Sequence, residues 1–347
     1  MKILKKILSL AFISVLLFHS IKNTAYASTD ISPQNPLKVA VFLNDFNDQF
    51  ISNVKKNLED IQKENENKIQ FTFFDAKGNQ VVQNEGIDQA LNQYFNLIIL
   101  NPVNTNIDNL KSILNKIEQK NIPLILYYGQ TTPIVNFLKS YHNAVIIDTD
   151  INQSGILQGK ILVDTWNANK ENLDRNKDNI MQYVILKGPA NSPETIARTK
   201  YSIQTINEAG IKTQQLSSIV CNWEEECAKT AIESNLLTLD GKIEAIIANN
   251  DAMAIGVIKT LQKYGYNKGD NSKYIPVVGV DALPEAQELI KQGVMTGTVV
   301  QDPSAHANAL YTIGMNLISG AYPLNGTNYK FDETGITIKL PYYEYVK

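Results

Sequence analysis

The sequence predicts an α/β protein built from two doubly wound parallel-sheet lobes, and three observations carry this. Short apolar runs recur, and each ends in a polar residue. Amphipathic stretches alternate with those runs from Leu37 almost to the C-terminus. The chain has 347 residues, too many for one typical domain and enough for two sizeable cores. Among the runs, Val39-Ala40-Val41-Phe42-Leu43 leads into Asn44-Asp45, and Leu97-Ile98-Ile99-Leu100 stops at Asn101. Ala245-Ile246-Ile247-Ala248 stops at Asn249-Asn250-Asp251, Val277-Val278-Gly279-Val280 at Asp281, and Thr298-Val299-Val300 at Gln301-Asp302. Such runs, bounded by turn residues, read as strands buried on both faces, which means a parallel sheet covered by helices. Ligands of open parallel sheets sit beyond the carboxyl ends of the strands. The polar stops therefore stand where a ligand would be. They are amides and carboxylates, good partners for hydroxyl groups.

Taken in order, strand 38–43 precedes an amphipathic helix near 49–64, and strand 69–75 precedes a helix near 80–93. Strand 97–100 leads to a helix near 106–120, and strand 123–128 closes the first group. A loop and a short strand at 145–147 follow, then a long helix near 153–168. Next come strand 181–187, helix 194–209, strand 213–219, helix 223–237, strand 245–248, helix 251–264, strand 275–279, helix 284–292 and strand 296–300. A last helix near 303–319 and two short tail strands complete the chain. Strict βα alternation implies parallel sheets with right-handed crossovers. No low-complexity linker marks a boundary, so several crossing strands are expected to join the lobes.

A net charge of −3 carries no nucleic-acid signature, and 44% hydrophobic content is ordinary for a globular protein. Residues 1–27 read as a secretory signal: Lys2, Lys5 and Lys6, an apolar stretch from Ile7 to Phe18, then Ala25-Tyr26-Ala27 with cleavage expected after Ala27. The alternative is an uncut anchor, which the short apolar stretch fits poorly. The protein is expected in the periplasm or at the cell surface, and no Cys near the cleavage point offers a lipid attachment. In an oxidising compartment Cys221 and Cys227 can pair. Six residues of continuous helix span about 9 Å by rise alone, too far to bridge. Pairing therefore requires Cys221 in the turn before a helix; otherwise both are free thiols.

The segment Asp174-Arg175-Asn176-Lys177-Asp178-Asn179-Ile180-Met181-Gln182 places oxygens at alternating positions, as a Ca²⁺ loop does. Asp174, Asn176, Asp178 and Gln182 would give side-chain oxygens and Ile180 a backbone carbonyl. Asn179 stands where such loops have Gly, and Asn tolerates the same left-handed geometry. The twelfth position, usually Glu, is Ile185. Read alone, the segment is either a cation loop or a solvated polar turn.

The runs Ala248-Asn249-Asn250-Asp251-Ala252-Met253-Ala254, Gly279-Val280-Asp281-Ala282-Leu283-Pro284-Glu285-Ala286 and Ile185-Leu186-Lys187-Gly188 closely resemble the galactose/glucose-binding members of the type I periplasmic sugar-binding protein family. The resemblance extends from about Leu37 to Tyr343. It implies the periplasmic binding protein type I fold, two lobes joined by three hinge segments with a sugar cleft between them. The lobes would be 36–128 plus 303–337, and 129–302 plus 338–347. It implies a monomer that closes on a monosaccharide (galactose, glucose or a methyl-galactoside) for delivery to the membrane permease of an ABC transporter. The alternative is a sensor that presents its closed form to a chemoreceptor or membrane histidine kinase. The family's stacking aromatics fall on Phe50 and Trp223, and its polar contacts on Asp48, Asn101, Arg198, Asn250 and Asp281. Three positions depart in type: Ser192 for His, Glu194 for Asp and Gln301 for Asn. The cation loop aligns with Asp174–Gln182, and its missing carboxylate with Glu244, as a structural Ca²⁺ site.

The physical chemistry agrees. A pyranose has apolar C–H faces for aromatics and a hydroxyl rim for amides and carboxylates, and hydrogen bonds to charged groups are about twice as strong as neutral ones. The plainer alternatives are core packing for Phe50 and Trp223, and helix capping for Asn250 and Asp281. Glu194 and Gln301 each reach one methylene further than the family residue, and Ser192 is shorter than His, so the sugar preference stays open. An enzyme is not expected: no phosphate loop or His-Glu-x-x-His occurs, and the only histidines are His19, His142 and His306. A DNA-binding regulator of related fold would need a helix pair where the export signal stands.

Overall fold

The structure, a computed structural model, describes residues 35–239 and 241–347. The expected signal at 1–27, with its cleavage point after Ala27, lies outside the described residues. Among the described residues, no helix is long and apolar enough to cross a membrane.

The alternation read from sequence becomes two six-stranded sheets. The first sheet takes β1 (Leu37–Leu43), β2 (Ile69–Asp75), β3 (Leu97–Leu100), β4 (Leu124–Tyr127), β5 (Ala144–Thr149) and β11 (Thr337–Leu340), in the order β11-β5-β4-β3-β1-β2. All of its pairings are parallel. The second sheet takes β6 (Ile180–Lys187), β7 (Lys212–Val220), β8 (Ala245–Ala248), β9 (Val277–Asp281), β10 (Gly297–Val300) and β12 (Tyr343–Val346), in the order β12-β10-β9-β8-β6-β7. Here only β12 runs antiparallel.

The helices are α1 (Gln49–Glu64), α2 (Gln80–Ala90), α3 (Ile107–Gln119), α4 (Thr132–Leu138), α5 (Ile151–Leu173), α6 (Pro193–Glu208), α7 (Glu225–Leu239), α8 (Asp251–Lys263), α9 (Pro284–Lys291) and α10 (Pro303–Ile318). They cover both faces of each sheet. The period-two pleat shows in β1, where Val39, Val41 and Leu43 enter one core cluster and Ala40 and Phe42 the other. The second sheet likewise has a cluster on each face.

Several expectations shift. Helix α4 occupies part of the stretch read as a loop: Pro133 stands at its start, and Ile134, Val135 and Leu138 are buried, too short a pattern to read from periodicity. Strand β9 begins at Val277, because Pro276 has no N–H for the ladder, and it extends to Asp281, which pairs with Val300 of β10. The first lobe boundary, expected after 128, falls after Thr149, since β5 pairs with β4 (Leu124↔Ala144). The last, expected after 337, falls after Leu340, since β11 pairs with β5 (Thr337↔Ile146). The chain thus crosses between sheets three times: from β5 into α5, from β10 into α10, and from β11 into β12.

Cys221 and Cys227 form a disulfide with Cα atoms 5.3 Å apart. Cys221 lies in the turn between β7 and α7 and Cys227 on the first turn of α7, which is the arrangement that makes bridging possible. Within the bridged loop, Asn222 and Trp223 both adopt left-handed backbone, at φ 51 and φ 70.

Candidate ligand cleft and polar loop

The carboxyl ends of the strands open onto one cleft of about 910 Å³, counting its solvent-open space, lined by residues of both lobes. All ten residues singled out from sequence, Asp48, Phe50, Asn101, Ser192, Glu194, Arg198, Trp223, Asn250, Asp281 and Gln301, lie in its wall.

On the first lobe, Asp48 caps α1 by accepting from the Ile51 N–H at 3.0 Å. Burial pushes its carboxyl pKa up, against the Ile51 and Phe50 N–H groups and the Arg198 charge. Phe50 is buried edge-on to His306 (centroids 5.3 Å) and Tyr128 (6.5 Å), so it is both core and cleft wall. Asn101 directly follows β3 with its amide committed on both sides: Oδ1 accepts from the Asn44 N–H at 3.1 Å and Nδ2 donates to the Tyr127 carbonyl at 3.1 Å. That amide joins the ends of three neighbouring strands. Beneath Phe50, the Tyr127 hydroxyl lies 2.9 Å from His306 Nδ1, and burial lowers the His306 pKa to about 3, so the ring is neutral.

On the second lobe, Ser192 caps α6, accepting from the Thr195 N–H at 3.3 Å and donating to Glu194 Oε2 at 2.6 Å. The shorter residue thus positions the longer one. Arg198 donates from one terminal nitrogen to the Asn249 carbonyl at 2.7 Å and from the other to Gln301 Oε1 at 2.9 Å. Its Nε–H is buried without a protein partner. Burial opposes the Arg198 charge, but Tyr342, Asp281 and Glu194 hold its pKa above the ordinary value. Trp223 lies with its ring centroid 5.6 Å from the Arg198 guanidinium. Asn250 caps α8 through Oδ1 (Met253 N–H, 3.0 Å) while Nδ2 donates to the Trp223 carbonyl at 3.2 Å. Capping and lining the cleft coexist in that residue.

Asp281 does not cap: α9 starts from Leu283 with no side-chain cap, and the Leu283 N–H goes to Asp251 Oδ2 at 2.8 Å. Instead Asp281 sits at φ 122, a backbone region costly for a side-chain-bearing residue. Burial raises its carboxyl pKa well above the usual range, with Arg198 pulling the other way. Such strain and burial at a cleft wall are features that binding sites carry.

The cleft also takes Asn44, the polar stop after β1, and residues that the sequence reading did not single out, among them Thr105, Tyr128 and Asn191. Tyr128 follows β4, and applying the strand-end rule to that strand would have flagged it. Asn191, in the loop after β6, has no such signal. The lining contains no His, Cys or Lys. It offers amides, carboxylates, one guanidinium and three aromatic rings, which suit a neutral, hydroxyl-rich molecule with apolar faces.

The polar loop lies at the opposite end of β6 from the cleft. Asn176 Nδ2 and Gln182 Nε2 donate to Asp178 Oδ2 at 2.8 and 2.9 Å, and the Ile180 N–H donates to Asp178 Oδ1 at 2.8 Å. Asp174 Oδ2 accepts from the Asn179 N–H at 3.1 Å, and Asn179 adopts φ 63, the geometry usually given to Gly. Glu244 accepts from the Arg175 N–H at 2.6 Å and the Gln182 N–H at 3.1 Å. Among the described residues, no group of three or more His, Cys, Asp or Glu side chains gathers as a metal cluster. Two acceptors in the loop, Asp174 Oδ1 and Gln182 Oε1, are nevertheless buried without partners, and that oxygen-rich surplus fits a hard cation.

The profile of the periplasmic binding protein domain matches residues 39–321. The D-galactose/methyl-galactoside binding periplasmic protein MglB of Haemophilus influenzae is 31% identical over 317 residues, 91% of each chain. The xylitol-binding protein of Mycolicibacterium smegmatis is 24% identical over 272 residues, 78% of this chain and 69% of its own. Among solved structures, an ABC transporter solute binding protein from Bacillus halodurans with bound myo-inositol matches with TM-score 0.71 at 23% identity, covering 90% of this chain and 95% of that one. One from Actinobacillus succinogenes with bound D-allose matches with TM-score 0.72 at 18% identity, covering 90% and 98%. The two structural likenesses concern the fold, with its two α/β lobes. From the profile match and the MglB identity together, the chain belongs to the periplasmic binding protein domain family, whose members bind substrates and are not enzymes.

Proposed function

We propose that the protein is an exported binding protein of an ABC transporter that closes on a monosaccharide, an aldohexose such as galactose or glucose or a methyl-galactoside. The observation that carries this reading is the composition of the cleft at the strand ends: Phe50 and Trp223 on different lobes, with hydroxyl partners on both. The name of the Haemophilus influenzae relative, which carries D-galactose and methyl-galactoside, supports the sugar class. In this reading Asp48, Arg198, Glu194, Asn250 and Asp281 take the hydroxyl rim, while Asn101, Ser192 and Gln301 act there with amides or hydroxyls largely committed to protein partners. A ligand that touches both lobes favours the closed arrangement by its differential affinity. The sensor alternative has no observation of the cleft in its favour.

The same reading gives the polar loop a structural Ca²⁺, held by Asp174, Asn176, Asp178, Gln182, Glu244 and the Ile180 carbonyl. The partnerless Asp174 and Gln182 oxygens support it. Such an ion would neutralise clustered acceptors and tie α5, β6 and the start of β8 together.

Intrinsic fluorescence titration tests the sugar reading, with Trp223 as reporter and the buried Trp166 as background. D-Galactose, D-glucose and methyl β-D-galactoside are expected to saturate the signal. No response to these, with tight binding of a pentose or a disaccharide, overturns the assignment.

A further inference from the structure

The three crossings between the sheets each contribute a buried side chain to one junction. Thr149 ends β5 before the first crossing, Gln301 follows β10 in the second, and Tyr342 precedes β12 in the third. Their relative exposures are 2%, 3% and 2%, so none is held by solvent. The Tyr342 hydroxyl lies 2.9 Å from Thr149 Oγ1, 3.4 Å from Gln301 Oε1 and 3.5 Å from an Arg198 terminal nitrogen. A phenol has one proton and two acceptor sites. Donating to Gln301 and accepting from Arg198 and Thr149 uses all three. Gln301 extends the junction to the first lobe, since its Nε2 donates to the Tyr128 hydroxyl. Tyr342 itself is not in the cleft lining, whereas Arg198, Gln301 and Tyr128 are.

We infer that Tyr342 is a positioning residue: it ties the three crossings to one another and holds the Arg198 guanidinium in its cleft orientation. The terminal nitrogens of Arg198 are fixed by the Asn249 carbonyl, Gln301 and Tyr342, which leaves the buried Nε–H and the second N–H of the nitrogen hydrogen-bonded to Asn249 without a protein partner. A change in the relative angle of the sheets must move at least two members of this junction. Arg198 presentation and hinge setting are therefore one event, which is how a ligand bound in the cleft can bias a motion of the whole lobe. The ligand arm of this inference rests on the sugar reading above; the hinge arm does not.

The test compares the parent with Tyr342→Phe in the full mature chain, with Thr149→Val as a second variant that removes the neighbouring hydroxyl. Hydrogen exchange of the ligand-free protein reads the hinge. In Tyr342→Phe, exchange is expected to rise about threefold or more at 148–152 and 300–304, crossings remote in sequence from the substitution, and in Thr149→Val at 300–304, while β1 and β8 stay unchanged. A rise confined to 340–343 in Tyr342→Phe, with no change at 300–304 in Thr149→Val, overturns the tie. Fluorescence titration with D-galactose and D-glucose reads Arg198. Tyr342→Phe is expected to raise Kd about tenfold in the parent, the size of one hydrogen bond to a charged group, and less than about twofold in an Arg198→Lys background. An unchanged Kd, or the same factor in both backgrounds, overturns the positioning role. If the parent binds neither sugar, the sugar reading falls, and hydrogen exchange alone decides the junction.

Discussion

Gly188 leaves the space that the indole of Trp223 fills: a Cβ added at 188 would lie far inside van der Waals contact of three atoms of its six-membered ring. The glycine opening the loop after β6 is therefore required by an aromatic that lies 35 positions on and belongs to another loop. Gly188→Ala should displace the indole while leaving the two sheets intact. We expect D-galactose affinity to fall about tenfold or more, the equivalent of the 1–3 kcal/mol that an overpacked site costs. A fluorescence titration checks it, and an unaltered Kd would separate Trp223 from ligand binding.

The Cys221–Cys227 disulfide closes the loop that carries Trp223. A loop this short contributes about 2 kcal/mol in the chain-entropy account. Replacing both cysteines by serine should lower the melting temperature by about 4–8 °C. Freed from the bridge, the left-handed Asn222-Trp223 pair should relax, and sugar affinity should fall more than stability alone explains. Calorimetry with and without D-galactose distinguishes the two effects, and a superimposable pair of melting curves defeats the prediction.

Asp148 gives the protein a pH dependence of predictable sign. Its carboxylate accepts from the Gln130 and Thr149 N–H groups, each at 2.7 Å, yet burial, with the Glu194 charge adding, carries its pKa up to about 7 from 3.8. Between those values the folded state holds a proton that the unfolded chain has released. Stability therefore falls as pH rises through that window, by up to about 1.4 kcal/mol per unit, and levels off above it. Asp251, raised to about 7 chiefly by burial, slopes the same way. Asp148→Asn should flatten the curve of urea stability between pH 5 and 7 without abolishing it; an identical slope in the variant refutes the assignment.

Chelation tests the polar loop. If Asp174 Oδ1 and Gln182 Oε1 face a bound Ca²⁺, removing it leaves them buried and unpartnered. At a hundredfold excess of free ion over Kd, binding is worth about 2.7 kcal/mol. Melting in chelator should then drop by several degrees and recover on adding Ca²⁺. Glu244→Gln should abolish that difference, while sugar affinity changes little because the loop lies away from the cleft. A melting curve indifferent to chelator removes the ion from the account.

Much of the cleft was legible because strand ends are local. The amides and carboxylates at Asn101, Asn250, Asp281 and Gln301 follow runs of three or four residues, and the parallel-sheet rule places them together without any knowledge of the turns. Tyr128 escaped because its strand ends in aromatics rather than amides. The lobe boundary escaped because β5 follows a short helix that its own sequence barely announces, and only pairing with β4 assigns the strand to the first sheet.

The sequence by itself determined the two sheets, the order of their elements and the residue types offered at the strand ends, because apolar periodicity and turn chemistry act over a few residues. Tertiary structure alone decided how those side chains are spent. Gln301 is held between Tyr128, Arg198 and Tyr342, and Ser192 is turned onto Glu194, because partners from distant segments compete for the same few donors and acceptors. That competition depends on distances between atoms far apart in the chain, which no local pattern carries.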